Sequence, residues 1–254
     1  MNRYRLAVDD GIYFLRDIAA KRYRSIFDCP FLGMLRSLKT KVVINVFFET
    51  PDADFNLAAM PADYRAEWAD NADWLRLAFH ARREFPDRPY ANTTAEILAR
   101  DYDDIAGEVL RFAGAATWSP TTLIHWCQLP AEVLPVLATR GVRVLSGLFG
   151  RGINYGLDAA FCEHVAKTGT ATDPQSGITF SRIDVILNAT PVEQVVPALE
   201  RVAPDRVLDL LTHEQYSWPF YRRYLPDHTD RLLTAVRWCA ERGFEPVFLH
   251  SGSM

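Results

Sequence analysis

Short apolar runs recur along this sequence, separated by segments whose apolar residues return at helical spacing, and that alternation most restricts the fold. Runs at 4–9, 42–48, 74–80, 118–125, 142–147, 178–187, 206–213 and 245–249 read as strands. Several are almost wholly apolar, as parallel strands covered on both faces require. Helices are expected at 61–72, 93–112, 130–140, 191–202 and 227–242. Pro61 suits a first helical turn and Asn92 an N-cap, while Gly141 and Gly243 follow arginines where a helix should hand over to a strand. The stretch 148–177, rich in Gly, Thr and Asp, reads as a short helix at 157–166 and a long loop. Alternation of this kind gives a parallel α/β fold. With about eight strand candidates and no GxGxxG turn after any of them, a single (β/α) barrel over 1–254 is favoured over an open doubly wound sheet.

Composition narrows the partners. Of 254 residues, 49% are hydrophobic and 24% charged, the balance of a globular protein that folds in water. A formal charge of −4 without a basic block argues against nucleic acid. No apolar run is long enough to span a membrane. The N-terminus enters a strand without the apolar core of a secretion signal, and Cys29, Cys127, Cys162 and Cys239 lack paired spacing, so a reduced, cytoplasmic protein is expected. The expected partner is a small-molecule or carbohydrate substrate, with a homo-oligomer left open.

In barrels, catalytic groups sit where strands end. Asp9 and Asp10 close the first run, and two adjacent carboxylates leaving a buried strand repel unless a cation or a proton separates them. Asp-Gly is also a common turn pair, but Ile12-Tyr13-Phe14-Leu15 continues with bulk rather than a hairpin partner. Asn45 and Glu49 end the second run, His80 the third and His125 the fourth. Asp184 and Asn188 lie late in the sixth, His213 and Glu214 follow the seventh, and His250 follows the eighth. Four of six histidines thus fall at strand ends, while His164 and His228 read as surface residues. Glu84, four residues past His80, would return beside it on a helical turn, or pair with Arg82, Arg83 or Arg88. Asp184 is costly to bury alone and has Arg182 nearby. Trp126, Tyr216 and Trp218, with Tyr90 and Tyr221, could stack on a sugar ring or pack the rim; with Asp184 and Glu214, the first three are the candidate substrate contacts.

These strand ends resemble the motifs of the NodB-homology polysaccharide deacetylases. Val8-Asp9-Asp10-Gly11 matches the first motif, and Leu211-Thr212-His213 the late Leu-x-His motif. His80-Ala81-Arg82-Arg83-Glu84-Phe85-Pro86 matches the His-x-x-x-His motif with Glu in place of the second His. The family's Arg-x-Pro-Tyr string is not on the fourth strand; Arg88-Pro89-Tyr90 comes directly after the second motif. The resemblance implies a distorted barrel of seven or eight parallel strands and a divalent metal. It makes Asp9 the general base, Asp10 and His80 ligands, and His213 the general acid, with Glu84 or His125 as third ligand. Mixed nitrogen and oxygen donors suit zinc, with nickel, cobalt or iron as alternatives. The implied reaction is removal of an acyl (acetyl) group from an N-acylated sugar or polysaccharide. Two rivals stand beside it: a glycoside hydrolase using Asp9, Glu49 or Glu214 as paired carboxylates, and a carbohydrate-binding barrel without turnover.

Overall fold

The structure, a computed structural model, describes residues 2–151, 153, 155–202 and 207–249. The first half runs β1 (Arg3–Gly11), α1 (Tyr13–Lys21), α2 (Pro30–Ser37), β2 (Val42–Phe47), α3 (Arg65–Asp70), β3 (Leu75–Ala81), α4 (Ala95–Phe112) and β4 (Thr121–Thr122). It continues with α5 (Leu134–Thr139), β5 (Val144–Gly147), α6 (Ala159–Thr168), β6 (Thr170–Thr172), β7 (Thr179–Arg182) and β8 (Val185–Ile186). The last elements are α7 (Val192–Glu200), β9 (Val207–His213), α8 (His228–Glu241) and β10 (Glu245–Pro246).

Among the described residues the strands form two sheets. The larger has the order β3-β2-β1-β9-β8, all parallel, with β10 pairing the first residues of β1. The smaller has the order β4-β5-β7-β6, parallel except for β6. They meet where the Ser119 amide donates to the Leu77 carbonyl (2.9 Å), and again where β7 passes into β8 across two residues. The expected parallel α/β architecture is present, and Gly141 and Gly243 adopt φ of +88° and +71° after their helices. No helix among the described residues is long and apolar enough to cross a membrane.

Several boundaries differ from expectation, each for a physical reason. The run 118–125 yields only Thr121–Thr122, because Pro120 has no amide hydrogen for a ladder. The run 178–187 breaks at Asp184, whose carboxylate accepts the Asp209 amide (3.0 Å) and binds Arg182 (3.1 Å). Residues 245–249 are not a full eighth strand. After Pro246 the chain turns inward: Phe248 packs on Val43 and Ala78, Leu249 packs on Val144 and Val207, and the Thr121 hydroxyl donates to the Leu249 carbonyl. The expected 148–177 loop holds strand β6, and α6 runs past 166 to Thr168. Helix α3 starts at Arg65 rather than at Pro61, and Thr94, not Asn92, caps α4 by accepting the Ile97 amide. Helices α1 and α2 were not anticipated.

The main core lies between the larger sheet and the helices, where Leu6, Val8, Ile44 and Val46 meet Phe14, Leu32, Leu35 and Trp68. The opposite face holds a buried ion pair. Arg5 and Asp209 are register partners on β1 and β9, exposed by 1% and 0%, and the Arg5 Nη1 lies 3.1 Å from both carboxylate oxygens. Ser146 and Ser181 of the smaller sheet donate to the same carboxylate at 2.7 and 2.9 Å, so this pair ties the two sheets together. Removing one charge leaves the other buried alone. Arg5→Met is therefore expected to lower unfolding stability by about 3–5 kcal/mol in urea titrations, and Arg5→Met/Asp209→Leu to recover most of that loss. A double variant as unstable as the single one would contradict this account.

Candidate active site

Successive side chains of a regular strand point to opposite faces, so Asp9 and Asp10 should diverge. They do not, because β1 is bulged. Its pairing with β2 slips between Val8 and Gly11, and Asp10 takes a left-handed φ of +60°. That conformation costs a residue with a Cβ roughly 1–2 kcal/mol, and Asp tolerates it better than most. Gly11 is needed for space, since a Cβ there would lie 2.5 Å from Ile44 Cγ2. A second irregularity sits in β3, where Val46 pairs with Phe79 and Phe47 with Ala81, leaving His80 between them. His125 follows β4 in a turn whose Trp126 and Cys127 have φ of +64° and +52°. Irregular backbone thus accompanies all three residues: left-handed conformations at Asp10 and directly after His125, and a register slip at His80.

The hydrogen bonds of the histidines assign their tautomers. His80 Nδ1 donates to the Leu123 carbonyl (2.6 Å), which leaves Nε2 bare. His125 Nε2 donates to the Glu84 carbonyl (3.3 Å), which leaves Nδ1 bare. The two bare nitrogens are 3.0 Å apart, and Asp10 Oδ1 lies 3.1 Å from His80 and 3.4 Å from His125. Three lone pairs therefore converge in a buried space with no hydrogen between them. Ligands about 2.0–2.1 Å from one ion in a tetrahedron lie roughly 3.3–3.4 Å apart, so the donor set fits a divalent cation.

The donor cluster among the described residues is Asp10, His80 and His125. Glu84, the alternative third ligand, is not part of it. Residues 82–92 form bends and turns rather than a helix, so the four-residue spacing does not return Glu84 to His80. Its carboxylate accepts from Gln215 Nε2 (3.1 Å), and burial, then the charge of Asp10, pushes its pKa up to about 7.

Asp9 and His213 are register partners on β1 and β9, so they share a face at the same level. Asp9 Oδ1 accepts from Asn45 Nδ2 (2.6 Å), and Asn45 Oδ1 accepts from the Thr122 hydroxyl (3.1 Å). His213 Nδ1 donates to Asn188 Oδ1 (2.9 Å). Asp9, Asp10, His80, His125 and His213 line one cavity of about 410 Å³, together with Glu84, Trp126, Tyr216 and Tyr221. Asn45 and Asn188 stand at strand ends in the sequence, but their hydrogen-bonding tasks depend on pairings between strands that no local spacing reveals.

Other expected site residues lie elsewhere. Glu214 is fully buried and accepts the amides of Ile12 (2.7 Å), Tyr13 (3.0 Å) and Phe14 (2.6 Å), plus Trp218 Nε1 (2.6 Å). It caps α1, and neither Glu214 nor Trp218 lines the cavity. Asp184 is also absent from the lining, its carboxylate held by Arg182 and the Asp209 amide. Glu49 pairs with Arg83 (3.1 Å). His164 is exposed as expected, but His228 is buried, with Nε2 2.6 Å from the Thr212 hydroxyl and Nδ1 2.7 Å from that of Ser217. His250 lies outside the described residues.

No protein-family profile and no curated protein sequence matches the chain. Among solved structures it is similar to 4-alpha-glucanotransferase from Thermococcus litoralis, at 14% identity over 97% of this chain and 39% of that chain, with a TM-score of 0.60. It is also similar to the Bc1960 peptidoglycan N-acetylglucosamine deacetylase (13% identity, 96% of this chain and 85% of that chain, TM-score 0.49). A third is a family 4 acetyl xylan esterase from Clostridium thermocellum in complex with a cobalt ion (14% identity, 96% and 86%, TM-score 0.49). At 14% identity, the likeness to the glucanotransferase shows a shared fold alone.

Burial, then the charge of Arg231, lowers the His228 pKa from 6.5 to about 4. An unfolded chain therefore binds a proton between those values that the native chain does not, and stability should fall as pH drops from 6.5 toward 4. Urea titrations across that window should show a shallower acid loss in His228→Gln than in the parent; equal slopes would contradict the assignment.

Proposed function

We propose that this protein is a metal-dependent hydrolase that removes an acyl group from an N-acylated sugar. In this reading the two sheets form one domain, a distorted (β/α) barrel, with the site at its C-terminal mouth. Asp10, His80 and His125 are the metal ligands, and zinc is the ion that two imidazoles and a carboxylate suit best. The observation that carries the reading is the convergence of three bare donor atoms beside Asp9 and His213 in one cavity. When bound, such an ion lowers the pKa of a coordinated water and polarises the substrate carbonyl.

The chain's own residues supply the proton transfers. Asn45 donates to one oxygen of Asp9, which keeps that carboxylate an acceptor and leaves its second oxygen to take a proton from water. Asn188 accepts from His213 Nδ1, so the proton delivered to a leaving amine is the one on Nε2. Trp126 and Tyr216 at the cavity wall offer aromatic faces to a sugar ring. The glycoside-hydrolase alternative loses ground, because Glu214 is committed to four N–H donors and Glu49 to an arginine.

Purified protein should hold about one divalent ion per chain. Asp10→Ala, His80→Ala and His125→Ala should lose it while keeping their circular dichroism spectra. Asp9→Asn and His213→Ala should keep the ion and lose roughly 10²–10⁴-fold in acetate release from N-acetylated sugars. Full metal content in all three ligand variants would overturn the ligand set. A metal-loaded parent that binds such sugars without releasing acetate would favour the non-catalytic barrel.

A further inference from the structure

The cavity has two chemically distinct parts. Asp87, Arg222 and Arg223 belong to its lining with Phe85 and Trp126, which are 49% and 42% exposed, so this part is charged, aromatic and open to solvent. The remainder is aliphatic. Leu123, Cys127, Ile186 and Leu211 line it at 2–9% exposure, joined by the half-buried Leu148 and Ile153.

Strand register explains why apolar space lies below the reacting groups. Leu211 stands two residues before His213 on β9 and therefore shares its face, one pleat deeper. Its register partner on β8 is Ile186, and its partner on β1 is Ala7, two residues before Asp9. The level beneath the proposed base and acid is thus built from two branched aliphatic side chains and one methyl group, and the small Ala7 leaves it room. Leu123 and Cys127 flank His125 in sequence, so they bring the same character to the smaller sheet's side.

We propose that the site takes an amide whose acyl chain is longer than acetyl, with that chain in the aliphatic part and the polar amine portion at the open rim. This rests on the hydrolase reading above, which places the scissile carbonyl at the Asp10–His80–His125 cluster. A substrate held there has its amine side toward Trp126, Phe85 and the arginines, and its acyl side toward Leu211 and Ile186. A single acetyl methyl would contact few of the six apolar side chains and leave the rest against water. Each further methylene buried there should tighten transition-state binding about fourfold.

The test is a chain-length series on the zinc-loaded protein: N-acetyl-, N-butanoyl-, N-hexanoyl- and N-octanoylglucosamine. The rate constant kcat/KM is read for the parent, and calorimetric Kd for the Asp9→Asn variant. The expected result is a rise in both rate and affinity of about fourfold per methylene until the space is filled. Ile186→Trp and, separately, Ile153→Trp should flatten the rise, and the loop position of Ile153 guards against a folding defect at Ile186. A series that is flat or declines from acetyl in both measurements overturns the proposal. Affinity that climbs with chain length without hydrolysis of any member upholds the aliphatic site and rejects the hydrolase reading.

Discussion

The bulge at Asp10 is the constraint on which the rest of the site depends. Without the slip between Val8 and Gly11, one aspartate would face the helices and only one the cavity. A left-handed residue inside a strand persists only where its surroundings over-determine it. Here the restraint comes at once: the amides of Ile12, Tyr13 and Phe14, directly after the bulge, are all gripped by the Glu214 carboxylate. Glu214 follows His213 in the chain. The group that pins the strained aspartate is therefore bonded to the proposed acid, and the spacing between β1 and β9 is fixed at the mouth by a short covalent link plus three hydrogen bonds.

The same two strands set out the interior as a ladder of register pairs. Arg5 faces Asp209, then Ala7 faces Leu211, then Asp9 faces His213. The first rung is a buried ion pair shared with Ser146 and Ser181, the second is apolar, and the third carries the proposed proton transfers. Below them, Phe248 and Leu249 fill space between strands instead of extending a sheet. An apolar layer thus spaces the ion pair of the floor from the polar groups of the mouth.

How much of this was legible follows from where each determinant sits in the sequence. Strands β1, β2, β3 and β9 are apolar runs read directly from their residues, and their ends named Asp9, Asp10, His80 and His213. Helix α1 escaped notice because it lacks a side-chain cap of its own; its capping carboxylate is 200 residues away from Phe14. Glu84 and His125 could not be ranked, because spacing along the chain says nothing about whether the chain turns helically after β3. His228 read as a surface residue for the same reason: both its partners, Thr212 and Ser217, come from the β9 end of the fold rather than from its own helix. Asp184 and Glu214, expected as substrate contacts, lie outside the cavity lining and accept instead from protein N–H groups, Asp184 from Arg182 and the Asp209 amide and Glu214 from three amides and Trp218.

Two asparagines complete the physical logic of the site. Asn45 presents its amide nitrogen to Asp9, whereas Asn188 presents its amide oxygen to His213. One end of the group stabilises an unprotonated acceptor, and the other stabilises an N–H donor, so the same uncharged residue type assigns opposite tasks to its two neighbours. Neither adds a charge to a cavity that already holds Asp9, Asp10 and Glu84. A cationic tether at either position would compete with a metal ion for the same carboxylates. Neutral tethers orient Asp9 and His213 without adding charge beside the Asp10, His80 and His125 donors.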